Sequence, residues 1–290
     1  MRISGFTFLR NGVMLNYPFV PSIRSVLPLV DEFIVSLGPC QDDTEARLRT
    51  IEDPKLRILK TTWNENIQDR RRVPGFAYGQ QKSIALFNCT GDWAFYLEGD
   101  EVVHEDDLPK IREAMERYRD DEEVESLLFD YLHFYGNANT IAWSPAWYRA
   151  AARIIRNSIP CWAPKGLFFV VLKNPRHGRY PKAAPSGARI FHYGWVRGQE
   201  PIQANKDQVA KFWGRGRETV QCAEIDPQVL RPFTGTHPAV MKDWLPKAEG
   251  LYQPNPDHRL TSRERKHRWM MKLERLFGLE LSRKHYYRIR

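Results

Sequence analysis

The chain has 290 residues, 42% hydrophobic, 27% charged and 12% aromatic, which excludes a disordered chain and allows one large domain or two small ones. Its longest apolar run, Leu167 to Leu172, falls far short of the about 20 residues that a spanning helix needs. The net charge is +9, but Asp257 to Arg290 alone holds 11 basic and 4 acidic residues, so the basic excess belongs to the tail and a specific nucleic-acid-binding face is not expected.

Ile3 to Leu9 reads as a first strand, and Arg10 and Asn11 follow before a leader core could form, so a cytoplasmic protein is expected. Pro18 and Pro21 open a helix that ends near Val30. Glu32 to Leu37 is a compact apolar run, consistent with a buried strand that Gly38-Pro39 stops. Asp42-Asp43-Thr44 reads as a helix start, since short acidic side chains cap free backbone N–H groups. Leu56 to Leu59 is a third strand, Phe76 to Asn88 a helix, Trp93 to Leu97 a fourth strand, and Asp107-Leu108-Pro109 opens a helix reaching about Arg119.

Strands separated by helices of this length imply an α/β fold with a mostly parallel central sheet and helices on both faces. Ligands of such sheets bind at the carboxyl ends of the strands. The loops after Leu37, Leu59 and Leu97 should therefore meet at one cleft.

The second half is richer in strands and loops. Leu127 to Tyr135, Arg153 to Arg156 and Gly187 to Trp195 read as strands, with prolines and glycines marking long loops between them. Pro201 to Trp213 reads as a helix. Ser262 to Phe277 is an amphipathic helix candidate carrying Trp269, Met270, Leu273, Leu276 and Phe277 among many basic residues. It suits either peripheral docking on an anionic membrane or packing on its own domain with the charges in water. Cys40, Cys89, Cys161 and Cys222 form no Cys-x-x-Cys pair and read as reduced, mostly buried thiols.

Leu97-Glu98-Gly99-Asp100-Glu101 is the most informative segment. An apolar strand delivers three carboxylates into a turn at the expected cleft. Hard oxygen ligands at this spacing suit Mg²⁺ or Mn²⁺, whose shell substrate phosphates and water complete. The alternative is a solvated acidic turn.

The stretch Gly91 to Glu101 resembles the strand and metal turn of family 2 glycosyltransferases with the GT-A fold, as does the preceding helix with Gln80, Gln81, Lys82 and Ala85. Ile190-Phe191-His192-Tyr193-Gly194-Trp195 resembles a late histidine motif of that group. The resemblance implies a GT-A-like, Rossmann-type sandwich over residues 1–200, with a nucleotide-sugar half (1–110), an acceptor half (111–200) and a helical, basic C-terminal extension (201–290). It also implies an inverting hexosyltransferase, with Asp100, Glu101 and His192 around a divalent metal and Asp42, Asp43, Arg72, Gln81, Lys82 and Glu98 around the nucleotide-sugar donor. The usual Asp-x-Asp turn here begins with Glu98. The loop after the second strand lacks the aspartate that holds the base in the family, and Asp42 and Asp43 lie farther along.

Other residues keep two readings. Asp69-Arg70-Arg71-Arg72 could hold a diphosphate through a guanidinium fork or form a solvated charge run. Transfer to an acceptor needs a base for the acceptor hydroxyl proton, and Asp130 and His133 are the candidates. Three positions apart on a strand, only one of them can point inward. Trp143, Trp147, Tyr148, Trp162 and Trp195 could stack on sugar rings, but structural roles are expected for most. The acceptor implied is a cell-surface glycan or a lipid-linked hydroxyl. A sugar-phosphate nucleotidylyltransferase is the alternative enzyme, although Arg10-Asn11-Gly12-Val13-Met14 is not its Gly-rich loop. A non-catalytic binder of nucleic acid or membrane driven by the basic tail is the third reading.

Overall fold

The computed structural model describes residues 1–67, 73–214, 216, 218–282 and 284–289. The first half alternates strand and helix: β1 (Ile3–Leu9), α1 (Phe19–Val26), β2 (Glu32–Leu37), α2 (Thr44–Arg49), β3 (Leu56–Lys60), α3 (Phe76–Phe87) and β4 (Trp93–Tyr96). A short strand β5 (Glu101–Val103) and α4 (Leu108–Arg117) follow. Then come β6 (Ser126–Tyr135), β7 (Asn137–Ala142), β8 (Ala150–Arg156), β9 (Cys161–Lys165), β10 (Phe168–Asn174), β11 (His177–Arg179) and the long β12 (Lys182–Trp195). The C-terminal part contains α5 (Gln199–Trp213), β13 (Leu230–Pro232), α6 (Ser262–Phe277) and β14 (Tyr287–Arg288).

β4, β1, β2 and β3 lie side by side and parallel, as the alternation of elements requires. β8 joins β4 antiparallel and leads to β6, which also pairs with β12 in parallel register. The sheet is thus wholly parallel in its first half and mixed in its second. β9, β10 and β11 form a separate three-stranded sheet.

β1, β2 and β4 are almost wholly buried, and their apolar side chains divide alternately between two faces. One face carries Ile3, Leu9, Phe33, Val35 and Phe95 against Ile23 and Val26 of α1 and Ile111 and Met115 of α4. The other carries Phe6, Ile34, Ala94 and Tyr96 against Ala85 and Leu86 of α3 and Phe169 of β10. Both faces are covered, so neither shows the exposed polar face of a half-solvated strand, and the few polar residues on them, such as Ser4 and Glu32, are buried. Each such large side chain stabilises the fold by about 1.5–3 kcal/mol on burial.

Several element ends differ from expectation. α1 stops at Val26 because the chain turns there, with Leu29 N–H donating to the Val26 carbonyl at 2.9 Å. β12 starts at Lys182, well before Gly187; that glycine sits at φ +73° inside a register shift between Pro185 and Arg189. Two strands of residues 201–290 join the main sheet, β13 on β7 and β14 on β12. α6 occupies the expected residues and begins with a capping box between Thr261 and Glu264. No helix of the described residues is long and apolar enough to cross a membrane.

Candidate active site at the carboxyl end of the parallel strands

A cleft of about 790 Å³ opens where the parallel strands end. Arg10 after β1, Trp63 and Pro74 after β3, and Glu98, Gly99 and Asp100 after β4 line it. His192, Gly194, Trp195 and Arg197 close the far wall, and α5 contributes Ile202, Asn205 and Lys206. The loop after β2 does not reach the lining. Gly38 instead packs under Trp63; a Cβ there would lie 2.3 Å from the indole Nε1. Among the described residues the lining carries five cationic side chains (Arg10, Lys165, Arg197, Lys206 and Lys284) against the acids Glu98 and Asp100. Although Arg10 is paired with Glu65 at 2.7 Å and Lys284 with Glu280 at 3.7 Å, the balance favours an anionic ligand.

Asp100 and His192 meet because β5 pairs with β12, placing Glu101 opposite His192 and letting Tyr193 N–H donate to the Asp100 carbonyl at 2.8 Å. His192 Nε2 lies 3.7 Å from Asp100 Oδ2. Burial pushes the Asp100 carboxyl up to about 6, with Arg197 pulling it down and Glu101 adding to the rise. Burial likewise pushes His192 down to about 4, so it is neutral at physiological pH.

The protons of the two histidines follow from their partners. His133 is neutral, its pKa depressed to about 3 by burial and by His192. Its Nε2 lies 2.7 Å from the Tyr148 carbonyl, which can only accept, so Nε2 carries the proton. Its Nδ1 must then accept from His192 Nδ1, 3.0 Å away. His192 therefore keeps a bare lone pair on Nε2, aimed at a carboxylate. Two acceptors facing each other call for a cation or a proton between them. Gly194 leaves room for one, since a Cβ there would crowd His192 Nε2 at 2.6 Å and Asp100 Oδ2 at 2.8 Å. The donor set and this space fit a hard or borderline divalent ion. Among the described residues no group of three His, Cys, Asp or Glu side chains surrounds a single point.

Glu101 does not join that pair, contrary to the expectation that it ligates a metal. It is fully buried, ion-paired to the equally buried Arg153. It also accepts from Tyr131 Oη at 2.7 Å and from the Glu98 N–H at 3.0 Å. Arg153 keeps the Glu101 carboxyl below the usual range against the effect of burial. Glu98 sits on the cleft wall with its side chain 27% exposed, 3.1 Å from Arg153 Nη2. Burial, then the Glu101 charge, pushes Glu98 up to about 8. Of the two carboxylates sharing Arg153, Glu101 keeps the charge and Glu98 holds a proton readily.

Arg197 is 2% exposed and donates to the Gly194 carbonyl through Nε at 2.9 Å and to the Leu15 carbonyl at 2.6 Å, with Tyr17 beneath it at 4.5 Å. All its bonds go to neutral groups, so its charge remains for the cleft.

The other expected residues fall outside the lining. Asp42 caps α2 by accepting from Thr44 N–H at 3.1 Å and ties the β1 loop by accepting from Met14 N–H at 2.6 Å. Asp43 is exposed and makes no side-chain cap. Gln81 is buried, accepting from Ser36 and Thr61 hydroxyls at 2.8 and 2.6 Å. Lys82 is fully buried under the floor, its Nζ 3.8 Å from the Tyr96 ring and 3.9 Å from the Phe169 ring, donating to the Gly166 carbonyl at 3.0 Å. Asp130 is exposed on the face of β6 away from His133. Arg72, with Asp69 to Arg71, lies outside the described residues. Of the aromatics weighed for stacking, Tyr148 and Trp195 line the cleft, while Trp147 packs against His133 at 5.2 Å.

Sequence reasoning missed Arg153 and Arg197. Arg153 stands between Ala152 and Ile154 in a core strand, and a cation in such a run signals a buried partner. Nothing in the sequence marks Arg197.

No protein-family model matches the chain, and no curated protein sequence matches it. Solved structures are similar over about half of it. S. aureus TarS is 11% identical over 55% of this chain and 29% of its own, with a TM-score of 0.35. TarS 1–349 in complex with UDP is 12% identical over 55% and 47%, also with a TM-score of 0.35. Glucosyl-3-phosphoglycerate synthase from Mycobacterium tuberculosis, in complex with Mn²⁺, UDP and phosphoglyceric acid, is 23% identical over 46% and 43%, with a TM-score of 0.31. This chain spans less than half the length of each.

Proposed function

We propose that the protein is a metal-dependent glycosyltransferase that moves a sugar from a nucleotide-diphosphate sugar to an acceptor hydroxyl on a glycan or a lipid-linked molecule. One observation carries the reading: the bare Nε2 of His192 and the Asp100 carboxylate face each other at 3.7 Å on the wall of a cationic cleft. Asp100 and His192 are the residues that would hold Mn²⁺ or Mg²⁺. When bound, the ion supplies Lewis acidity toward the leaving diphosphate. Arg197, bonded only to neutral carbonyl groups, adds a fixed positive charge beside Asp100.

The aromatic end formed by Phe8, Trp63 and Tyr78 suits a flat base, Trp63 and Tyr78 meeting at 5.0 Å. Glu98, held by Arg153 and protonated near neutrality, donates a hydrogen bond to a sugar hydroxyl. Direct inverting displacement is the chemistry the family 2 resemblance implies. Neither Asp130 nor His133 opens on the cleft, so neither is proposed as the base.

The test is release of nucleoside diphosphate from a panel of nucleotide sugars, with Mn²⁺ and with a chelator. Metal-dependent turnover that falls at least about a hundredfold in Asp100→Asn supports the reading. Full activity in that variant, or in the presence of the chelator, contradicts it.

A further inference from the structure

α6 is turned opposite to an ordinary surface helix. Its contacts with the protein body are largely ionic. Glu274 is 9% exposed and accepts from Arg149 Nη2 at 2.6 Å, Arg268 bonds both oxygens of Asp226 at 2.7 Å, and Glu264 is paired with His258 at 3.0 Å. Four of its large apolar side chains point the other way, while Met270 and Met271 are half-buried. Trp269 is 67% exposed, Leu273 41%, Leu276 75% and Phe277 63%, and Leu279 just beyond is 54% exposed. At about 100° per residue the four helical ones fall within one sector. A helix that served only to cover its own domain would bury that stripe.

The charges around the stripe say what covers it. Arg263, Arg265, Lys266, Lys272 and Arg275 are exposed, whereas Glu264 and Glu274, the two acids of the helix, face the body. A second copy of the chain docked through this face would set basic rows against basic rows. A surface of anionic headgroups over an apolar layer matches both the stripe and its flanks.

We propose that α6 docks the protein on an anionic lipid surface, with Trp269, Leu273, Leu276 and Phe277 entering the headgroup region and the exposed Lys and Arg side chains meeting lipid phosphates. This does not rest on the catalytic reading. Lys284, seven residues beyond Phe277 in the chain, lines the cleft.

The test is co-sedimentation of the full chain with phosphatidylcholine vesicles, with and without phosphatidylglycerol. Binding to the anionic vesicles should weaken with added salt and fall at least about tenfold in Trp269→Glu/Leu273→Glu and in Lys266→Glu/Lys272→Glu. These side chains are exposed, so circular dichroism and melting temperature should stay at the wild-type values. Absence of vesicle binding by the wild type, or unchanged binding by both variants, overturns the proposal. A dimer by light scattering that dissociates on Leu273→Glu, without vesicle binding, overturns it in favour of an interface between copies.

Discussion

His133 and His192 face each other through their Nδ1 atoms at 3.0 Å, and the Tyr148 carbonyl behind His133 fixes which of them donates. The consequence lies one ring farther on, at His192 Nε2, which is left unprotonated opposite Asp100. In the proposed site His133 is thus a positioning residue, setting the tautomer of His192, the proposed metal ligand, from behind its ring.

Removing that support should weaken metal use. His133→Phe should raise the Mn²⁺ concentration needed for half-maximal turnover about 10–100-fold, with a smaller effect on the rate at saturating metal. His133→Gln offers both a donor to Tyr148 and an acceptor for His192, and should recover most of the affinity. Equal losses in the two variants would reduce His133 to a packing role.

The Arg153–Glu101 pair is the buried hinge of the acidic turn. Arg153→Met leaves Glu101 charged and unpaired, and should destabilise the protein by about 3–5 kcal/mol. Chemical denaturation checks this, and a loss below about 1 kcal/mol would mean that Glu101 finds another partner or takes a proton at little cost.

Acid stability should depend on Glu32. Burial alone would raise its carboxyl, but hydrogen bonds from Ser4, Thr90 and Arg57 hold it down at about 2, below the ordinary 4.5. A depressed carboxyl stabilises the fold fully above 4.5 and loses that contribution as the pH falls toward 2. Glu32→Gln should flatten the stability profile between pH 5 and 2, measured by denaturation at stepped pH; an unchanged slope would contradict the assignment.

Two residues singled out in the sequence should prove dispensable for chemistry. Asp130 is exposed on the far face of β6, and Lys82 lies sealed between Tyr96 and Phe169. Asp130→Asn should leave turnover unchanged. Lys82→Met keeps the volume and should cost less than about 1.5 kcal/mol, with nucleotide affinity retained. A large loss of turnover in Asp130→Asn would return it to the site.

What the sequence revealed, and what it hid, follows from the range of the forces involved. β1, β2 and α6 are legible because their hydrophobic periods or caps act within a few residues. The cleft's position follows from the parallel order, and Asp100, Glu98 and His192 do line it. β5, three residues long, carries no period, yet its pairing with β12 is what joins Asp100 to His192. The fate of Glu101 was illegible because its partner Arg153 is 52 positions away. Asp42 and Gln81 are polar residues near strand ends whose bonds go to neighbouring backbone and hydroxyl groups, and local sequence does not separate that from ligand binding.

The most direct measurement is the thermal shift of the wild type and of Asp100→Asn with UDP, GDP, CDP and dTDP, each with and without Mn²⁺. A ligand at 100 times its Kd stabilises the native state by about 2.7 kcal/mol, which raises the melting temperature by several degrees. The account predicts a shift with at least one nucleotide that requires Mn²⁺ and disappears in Asp100→Asn. A nucleotide shift indifferent to Mn²⁺ and to the substitution would contradict it.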